Sequence, residues 1–259
     1  MPSLVHHKGD LLLISVGFFI LVSIGILIEA NYLFMVFLYY GIPAVYLSVR
    51  QPKHIQKSLL YAIMFALPVT LIIDYIGHVS NAWFEPSVIG LRLLNAFPID
   101  AFLWAITFSY YVSIFYEYFF ENNLSGRLFS RNTKYFLYVI AVALSVFSII
   151  YFANRAWLVF PHFYFIFIIA FFLLPSIIVL GRHPRLLPKV ILQALYFIPY
   201  QLIYEVSALH FSNWSFPGSH YIGWVRLFSY QFPFEELLWI LLAVPAFICI
   251  YEYFVDDLQ

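Results

Sequence analysis

Pro98-Ile99-Asp100 returns 135 residues later as Pro233-Phe234-Glu235, and a further acid, Glu236, follows the second copy. The same offset sets Trp104 on Trp239 and Tyr116-Glu117-Tyr118-Phe119 on Tyr251-Glu252-Tyr253-Phe254. Toward the N-terminus, an offset of 131 or 132 sets Pro43 on Pro175, Arg50 on Arg182, Pro52 on Pro184 and Lys57 on Lys189. It also sets Pro68 on Pro199, Asp74 on Glu205, Trp83 on Trp214 and Pro86 on Pro217. The offset steps to 135 between the tryptophan and the proline–acid pair, where the second copy is four residues longer. Such a unit is too long for a solenoid repeat. It reads as a duplicated domain within one membrane domain, 1–259, with copies at approximately 31–120 and 162–255 and additional helices at 10–29 and 135–153.

Composition places the chain in a bilayer. It is 64% hydrophobic and 10% charged, with a mean hydropathy of +0.89, far below the charge of a soluble domain. Apolar stretches long enough to cross a hydrocarbon core predict spans near 11–29, 31–49, 58–77, 97–120, 135–153, 161–180, 189–209 and 233–254. The first resembles a signal peptide but runs too long and lacks a small-residue cleavage site. Backbone polar groups in lipid must be satisfied within the chain, so the spans are helices. The expected fold is all-α, a polytopic helical membrane bundle of seven to eight spans built from two tandem parallel repeats.

The basic residues orient it. With eight spans, Lys8, Arg50, Lys53, Lys57, Arg127, Arg131, Lys134, Arg182, Arg185 and Lys189 fall on one side, ten of the 13 Lys and Arg. Arg92, Arg155 and Arg226 fall on the other. The bias predicts a multi-pass protein of the cell membrane with both termini cytoplasmic. Four spans per copy give the copies one orientation, related by an axis along the membrane normal.

Several classes fall away. Cys249 is the single cysteine and sits inside the last span, so there is no disulfide framework. Net charge is zero and no basic cluster exceeds an ordinary cytoplasmic loop, which excludes nucleic acid as a partner. No glycine-rich fingerprint follows a strand, so no nucleotide site is visible. No lysine sits mid-span to carry a retinal Schiff base, and the histidines lie at helix ends or in loops, which argues against a bis-His haem. No cofactor and no metal is expected, and oligomeric state is not legible.

The acids carry the chemistry. Asp74 and Glu205 fall at matching places near the outer ends of their spans, and Asp100, Glu235 and Glu236 fall in the first turns of theirs. An acid within a span is expensive and by default marks function. Burial and a like-charged neighbour both favour a protonated carboxyl, and a protonated acid beside a carboxylate is the pairing that acid–base chemistry needs. A structural role competes: acids in a first turn complement the helix dipole, and Arg92 and Arg226, just ahead of those helices, are placed to pair with acids. Capping does not explain Asp74 or Glu205, which lie far from a helix start.

The Pro233-Phe234-Glu235-Glu236 start of a membrane helix, the Trp-x-x-Pro loop before it and the two copies per chain resemble the membrane-integral lycopene cyclases, the two-subunit or fused carotenoid cyclases. The resemblance runs from Glu205 through Trp214, Pro217, Gly223 and Pro233 to Tyr253, and from Asp74 through Trp83, Pro86, Gly90 and Pro98. The chain departs from the family at Pro98-Ile99-Asp100-Ala101, where a second acid is usual, and at Leu103-Trp104 and Leu238-Trp239, where an aromatic pair is common. The resemblance implies cofactor-independent cyclisation of the end of a linear, lycopene-like isoprenoid. A buried acid protonates the terminal double bond, a neighbouring double bond attacks the carbocation, and a base removes a proton. Glu235, Glu236, Asp100, Asp74 and Glu205 are then the catalytic candidates. Trp83, Trp104, Trp214 and Trp239, with Arg92 and Arg226, are the substrate-binding candidates, the indoles acting through cation–π attraction. Interfacial belts also enrich tryptophan without catalysis.

Two other classes fit parts of the pattern. Duplicated bundles with prolines at equivalent places (Pro43, Pro68, Pro175, Pro199) are typical of small-molecule transporters. Asp74 and His78, spaced i, i+4, together with His162, His210 and His220, are a candidate zinc set for a membrane hydrolase.

Overall fold

The computed structural model describes residues 7–121, 128 and 130–256; Arg127 of the basic set lies outside them. The fold is an all-α bundle. Its long helices are α1 (Lys8–Leu27), α2 (Tyr32–Arg50), α3 (Pro52–Val79), α4 (Asp100–Phe120), α5 (Thr133–Ala153), α6 (Phe163–Arg182), α7 (Pro184–His210) and α8 (Phe234–Phe254). Seven of them are long and apolar enough to cross a membrane, so the chain is a multi-pass membrane protein.

The exception is α4, and its sequence explains why. Ser109, Tyr110, Tyr111, Ser113, Tyr116, Glu117 and Tyr118 lower its hydropathy, yet every residue from Tyr111 to Phe120 is buried. Polar groups here face protein, not lipid, where they find partners. The Gln193 amide donates to the Val112 carbonyl (2.8 Å), and the Tyr111 and Tyr196 hydroxyls pair at 2.9 Å. By contrast α5, with few polar side chains, exposes most of its surface.

Prolines shape the helices at matching places. A π-helical turn at Phe37–Gly41 precedes Pro43, and another at Ile169–Leu173 precedes Pro175. Proline removes an N–H and clashes with the carbonyl four residues back, and a π-bulge absorbs both effects by widening the turn. Pro68 and Pro199 sit inside α3 and α7.

The helices alternate between two ends. At one end Arg50 pairs with Asp10 (3.2 Å), Lys57 with Glu117 (2.9 Å) and Asp256 (2.7 Å), and Lys189 with Glu121 (2.6 Å). Tyr116 donates to Glu252 and Tyr251 donates to Glu117, the same bond made in both directions between two Tyr-Glu pairs that the repeat makes equivalent. At the other end two loops meet. Phe84 and Ser215 form an antiparallel bridge (N–H to O, 2.8 and 2.9 Å). Tyr221 donates to the Ala82 carbonyl (3.0 Å). A Cβ on Gly218 would lie 2.3 Å from the Asn81 oxygen, so only glycine permits this approach.

Short hairpins lead into α4 and α8. β1 (Arg92–Leu93) pairs with β2 (Phe97–Pro98), and β3 (Trp224–Leu227) pairs with β4 (Tyr230–Pro233). The hairpin of residues 92–98 has seven residues and that of 224–233 has ten, so the longer hairpin supplies three of the four extra residues in the second copy and the loop ahead of it supplies the fourth.

Candidate functional site

A cavity of about 130 Å³ opens between the helices below the bridged loops. Its walls come from both sequence halves. Asp74, Glu205 and Glu236 line it, with Trp83, Trp104, Trp214 and Trp239. Asp74 projects from α3 and Glu205 from α7, and each accepts a hydrogen bond from an indole nine residues on: Trp83 Nε1 to Asp74 Oδ1 and Trp214 Nε1 to Glu205 Oε1, both 3.1 Å. Two carboxyl groups 131 residues apart thus meet one space in one arrangement. Glu236, in the first turn of α8, accepts from the Tyr164 hydroxyl.

The remaining candidates fall elsewhere. Asp100 is fully buried, but its Oδ2 turns into the preceding loop, where Ser87 Oγ (2.8 Å) and the Val88 N–H (2.7 Å) donate to it. Glu235 does the same one copy on, accepting from the Ile222 N–H at 2.8 Å. Both shape the loop ahead of their helix and neither lines the cavity, so adjacency to Glu236 does not make Glu235 part of the same site. The hundred-degree step between helix neighbours sends one acid to the cavity and the other to the loop. Nor do the arginines meet the acids. Arg92 donates to the Ala96 (2.8 Å) and Glu85 (3.0 Å) carbonyls and lies over the Phe84 ring, while Arg226 is exposed on β3.

The sequence reading passed over Glu85, Tyr32, Tyr164, Gln201 and Tyr204, all of which line the cavity. Glu85 lies outside any span, so the cost of burying an acid in lipid did not single it out. Its signal was its place between Trp83 and Pro86, two residues the repeat had already marked. Its Oε2 is buried without a hydrogen-bond partner. Gln201 is buried too; its Oε1 accepts from Tyr40 (2.7 Å), leaving Nε2 without a partner.

The rest of the wall is aromatic and aliphatic. Trp104 packs on Trp239 with ring centres 5.6 Å apart, Trp214 on Tyr204 at 5.3 Å and Trp83 on Tyr164 at 5.0 Å. Among the described residues, no lysine, arginine or histidine lines the cavity. Four carboxyl groups therefore share an apolar space without a basic side chain in its wall. Such a site favours a cation, or a positive charge developing during reaction, against indole and phenol faces.

The zinc set does not assemble. His78 Nδ1 binds the Asp74 backbone carbonyl (2.9 Å), and His210 Nδ1 binds the Tyr230 hydroxyl (2.7 Å). His162 and His220 lie together, ring centres 5.6 Å apart. Among the described residues, the group spaced to hold a metal is Glu121, Glu252 and Asp256, at the opposite end, where Lys189 already pairs with Glu121.

Comparison with family models, with curated proteins and with solved structures finds no match to this chain.

Proposed function

We propose that the protein is a cofactor-independent cyclase acting on the end of a linear carotenoid-like polyene within the membrane. One observation carries this reading: four carboxyl groups and four indoles line a single cavity, with no basic side chain among the described residues of its wall. Protonating a terminal alkene needs a carboxylic acid kept neutral by desolvation. The tertiary cation that results needs carboxylate and aromatic faces nearby, and a base to take up the proton released when the ring alkene forms. Donor and acceptor are both carboxyl groups, so the reaction balances with no redox partner. The apolar wall suits a hydrocarbon that arrives from the bilayer. The resemblance of the Pro233-Phe234-Glu235-Glu236 segment to the lycopene cyclases supports the same substrate class.

The test is expression in a host that accumulates a linear carotenoid, followed by chromatography of the extracted pigments. Cyclic products are expected, and an unchanged pigment profile with the protein present in the membrane would refute the reading.

A second reading rests on the same cavity. An acidic, aromatic-walled space also suits a permanent organic cation, and Pro68 and Pro199 inside two of its helices are where a carrier would flex. Uptake of tetraethylammonium into vesicles containing the protein, without any ring product, would favour the carrier.

In either case we place both termini and the loops around Gln51 and His183 on the cytoplasmic side of the cell membrane, from the excess of Lys and Arg at that end. Epitope tags in the two loops should report one compartment, the cytoplasm.

A further inference from the structure

We propose that Glu85 is the catalytic proton donor and Glu236 the acceptor, so that the two acids without a counterpart in the other half give a near-symmetric cavity a direction. The proposal rests on the cyclase reading above and adds to it the roles of the acids.

The hydrogen bonds separate the four carboxyl groups. Asp74 and Glu205 each accept from an indole N–H, a group that only donates. Glu236 accepts from the Tyr164 phenol. A bond received from a donor favours the charged carboxylate. Glu85 differs: its Oε2 is buried against the cavity with no partner. With no basic side chain among the described residues of the wall, four adjacent negative charges are untenable. The proton belongs on the carboxyl with the least hydrogen-bond support for its charge, and that is Glu85. Its backbone is held in place, with the Arg92 guanidinium donating to its carbonyl at 3.0 Å.

Comparison of the two halves points the same way. At the offset of 131, Glu85 corresponds to Phe216, which lines the cavity from the opposite loop. At the offset of 135, Glu236 corresponds to Ala101. Asp74 and Glu205 are matched, so they treat either orientation of a ligand alike. Of the four acids, Glu85 and Glu236 break that equivalence, and each comes from a different half.

The step balances. The O–H bond of Glu85 breaks and a C–H bond forms at the terminal alkene carbon, leaving a tertiary carbocation and a Glu85 carboxylate. The π electrons of the neighbouring double bond form the ring C–C bond and move the positive charge into the ring. A ring C–H bond then breaks, its electron pair becomes the ring alkene, and Glu236 takes the proton. Before the next turnover Glu236 gives its proton up to water and Glu85 takes one from water, so each cycle draws one solvent proton into the product.

The experiment uses full-length protein in liposomes loaded with a linear carotenoid, in deuterium oxide, with products read by chromatography and mass spectrometry. Wild type should give cyclic product carrying about one deuterium per ring. Glu85→Gln and Glu85→Met, confirmed as folded by size-exclusion chromatography, should lose both ring formation and deuterium uptake, by about a hundredfold or more, the usual contribution of a general acid. Glu236→Gln should still place deuterium in the carotenoid but change the product, through a misplaced alkene or capture of the cation by water. A folded protein lacking the carboxyl at residue 85 that cyclises at the wild-type rate overturns the proposal and leaves the cyclase reading intact. Loss of deuterium uptake in Glu236→Gln overturns it as well, by making Glu236 the donor. A wild-type protein that neither cyclises nor takes up deuterium removes the cyclase reading and this proposal together.

Discussion

Gly77→Ala tests the geometry of the cavity wall by adding one methyl group. In the interior of an ordinary helix this change stabilises by about 0.5–1 kcal/mol, because alanine restricts the unfolded chain. Here a Cβ would lie 2.2 Å from Trp83 Cζ2, 2.5 Å from Cη2 and 2.6 Å from Cε2. The indole has little room to retreat, since it packs on Tyr164 and Phe163 and its Nε1 is bonded to Asp74. Overpacking costs about 1–3 kcal/mol, and breaking a hydrogen bond to a charged group about 1.5–3 kcal/mol. These outweigh the helix gain and leave a net loss of roughly 2–4 kcal/mol. A chain of this size loses about 2–4 °C per kcal/mol, so the melting temperature in detergent should fall by roughly 5–15 °C. Gly17→Ala, with nothing within 4 Å of its Cβ, is the control and should hold or raise stability. Trp83→Phe should relieve the clash, so Gly77→Ala in that background should cost much less. A Gly77→Ala protein as stable as wild type would refute the placement of Trp83 against α3.

Three further outcomes are expected. Asp100→Ala and Glu235→Ala should each destabilise by about 1–3 kcal/mol, the cost of leaving loop donors unpaired, and hydrogen exchange should speed up at Val88 and Ile222 respectively. Lys57→Met leaves Glu117 and Asp256 without their shared cation; it should cost about 3–5 kcal/mol, read as a lower melting temperature, and Glu117→Gln in the same chain should recover part of the loss. Burial pushes the Glu85 carboxyl well above the ordinary carboxylate range, and the charge of Asp74 pushes it the same way. Folding therefore favours the protonated form, so this contribution to stability is full below about pH 4.5, the ordinary value, and is lost as pH rises through the raised one. Glu85→Gln should flatten that part of the stability–pH curve.

The membrane fold was legible because span length and hydropathy are properties of single segments. Alpha-4 shows the limit of that signal: its tyrosines and Glu117 are tolerated because neighbouring helices wrap it, a fact that no property of the segment reports. The acids divide in the same way. Asp74, Glu205 and Glu236 were found by the cost of charge in lipid, and they do line the cavity. Asp100 and Glu235 obey the same rule but satisfy it with loop N–H groups, and only the backbone path of the loop distinguishes the two uses. Glu85 was missed because its burial comes from tertiary folding of a loop. Proximity in sequence points the arginines at acids, whereas the carbonyl oxygens of Ala96 in the hairpin and Glu85 in the loop ahead of it take up the Arg92 guanidinium.

The bridge between Phe84 and Ser215 works as a ruler. Side chains along an extended strand alternate in direction, and here the two paired residues face outward while Trp83, Glu85, Trp214 and Phe216 turn inward. One backbone pairing thus fixes the aim of four wall residues, two on each crossing strand. A slip of a single residue on either strand would present Phe84 or Ser215 to the interior and swing an indole away from its carboxyl. Insertions or deletions between Asn81 and Pro86, or between Asn213 and Pro217, should therefore be poorly tolerated, although both stretches are surface loops, where length changes are ordinarily harmless.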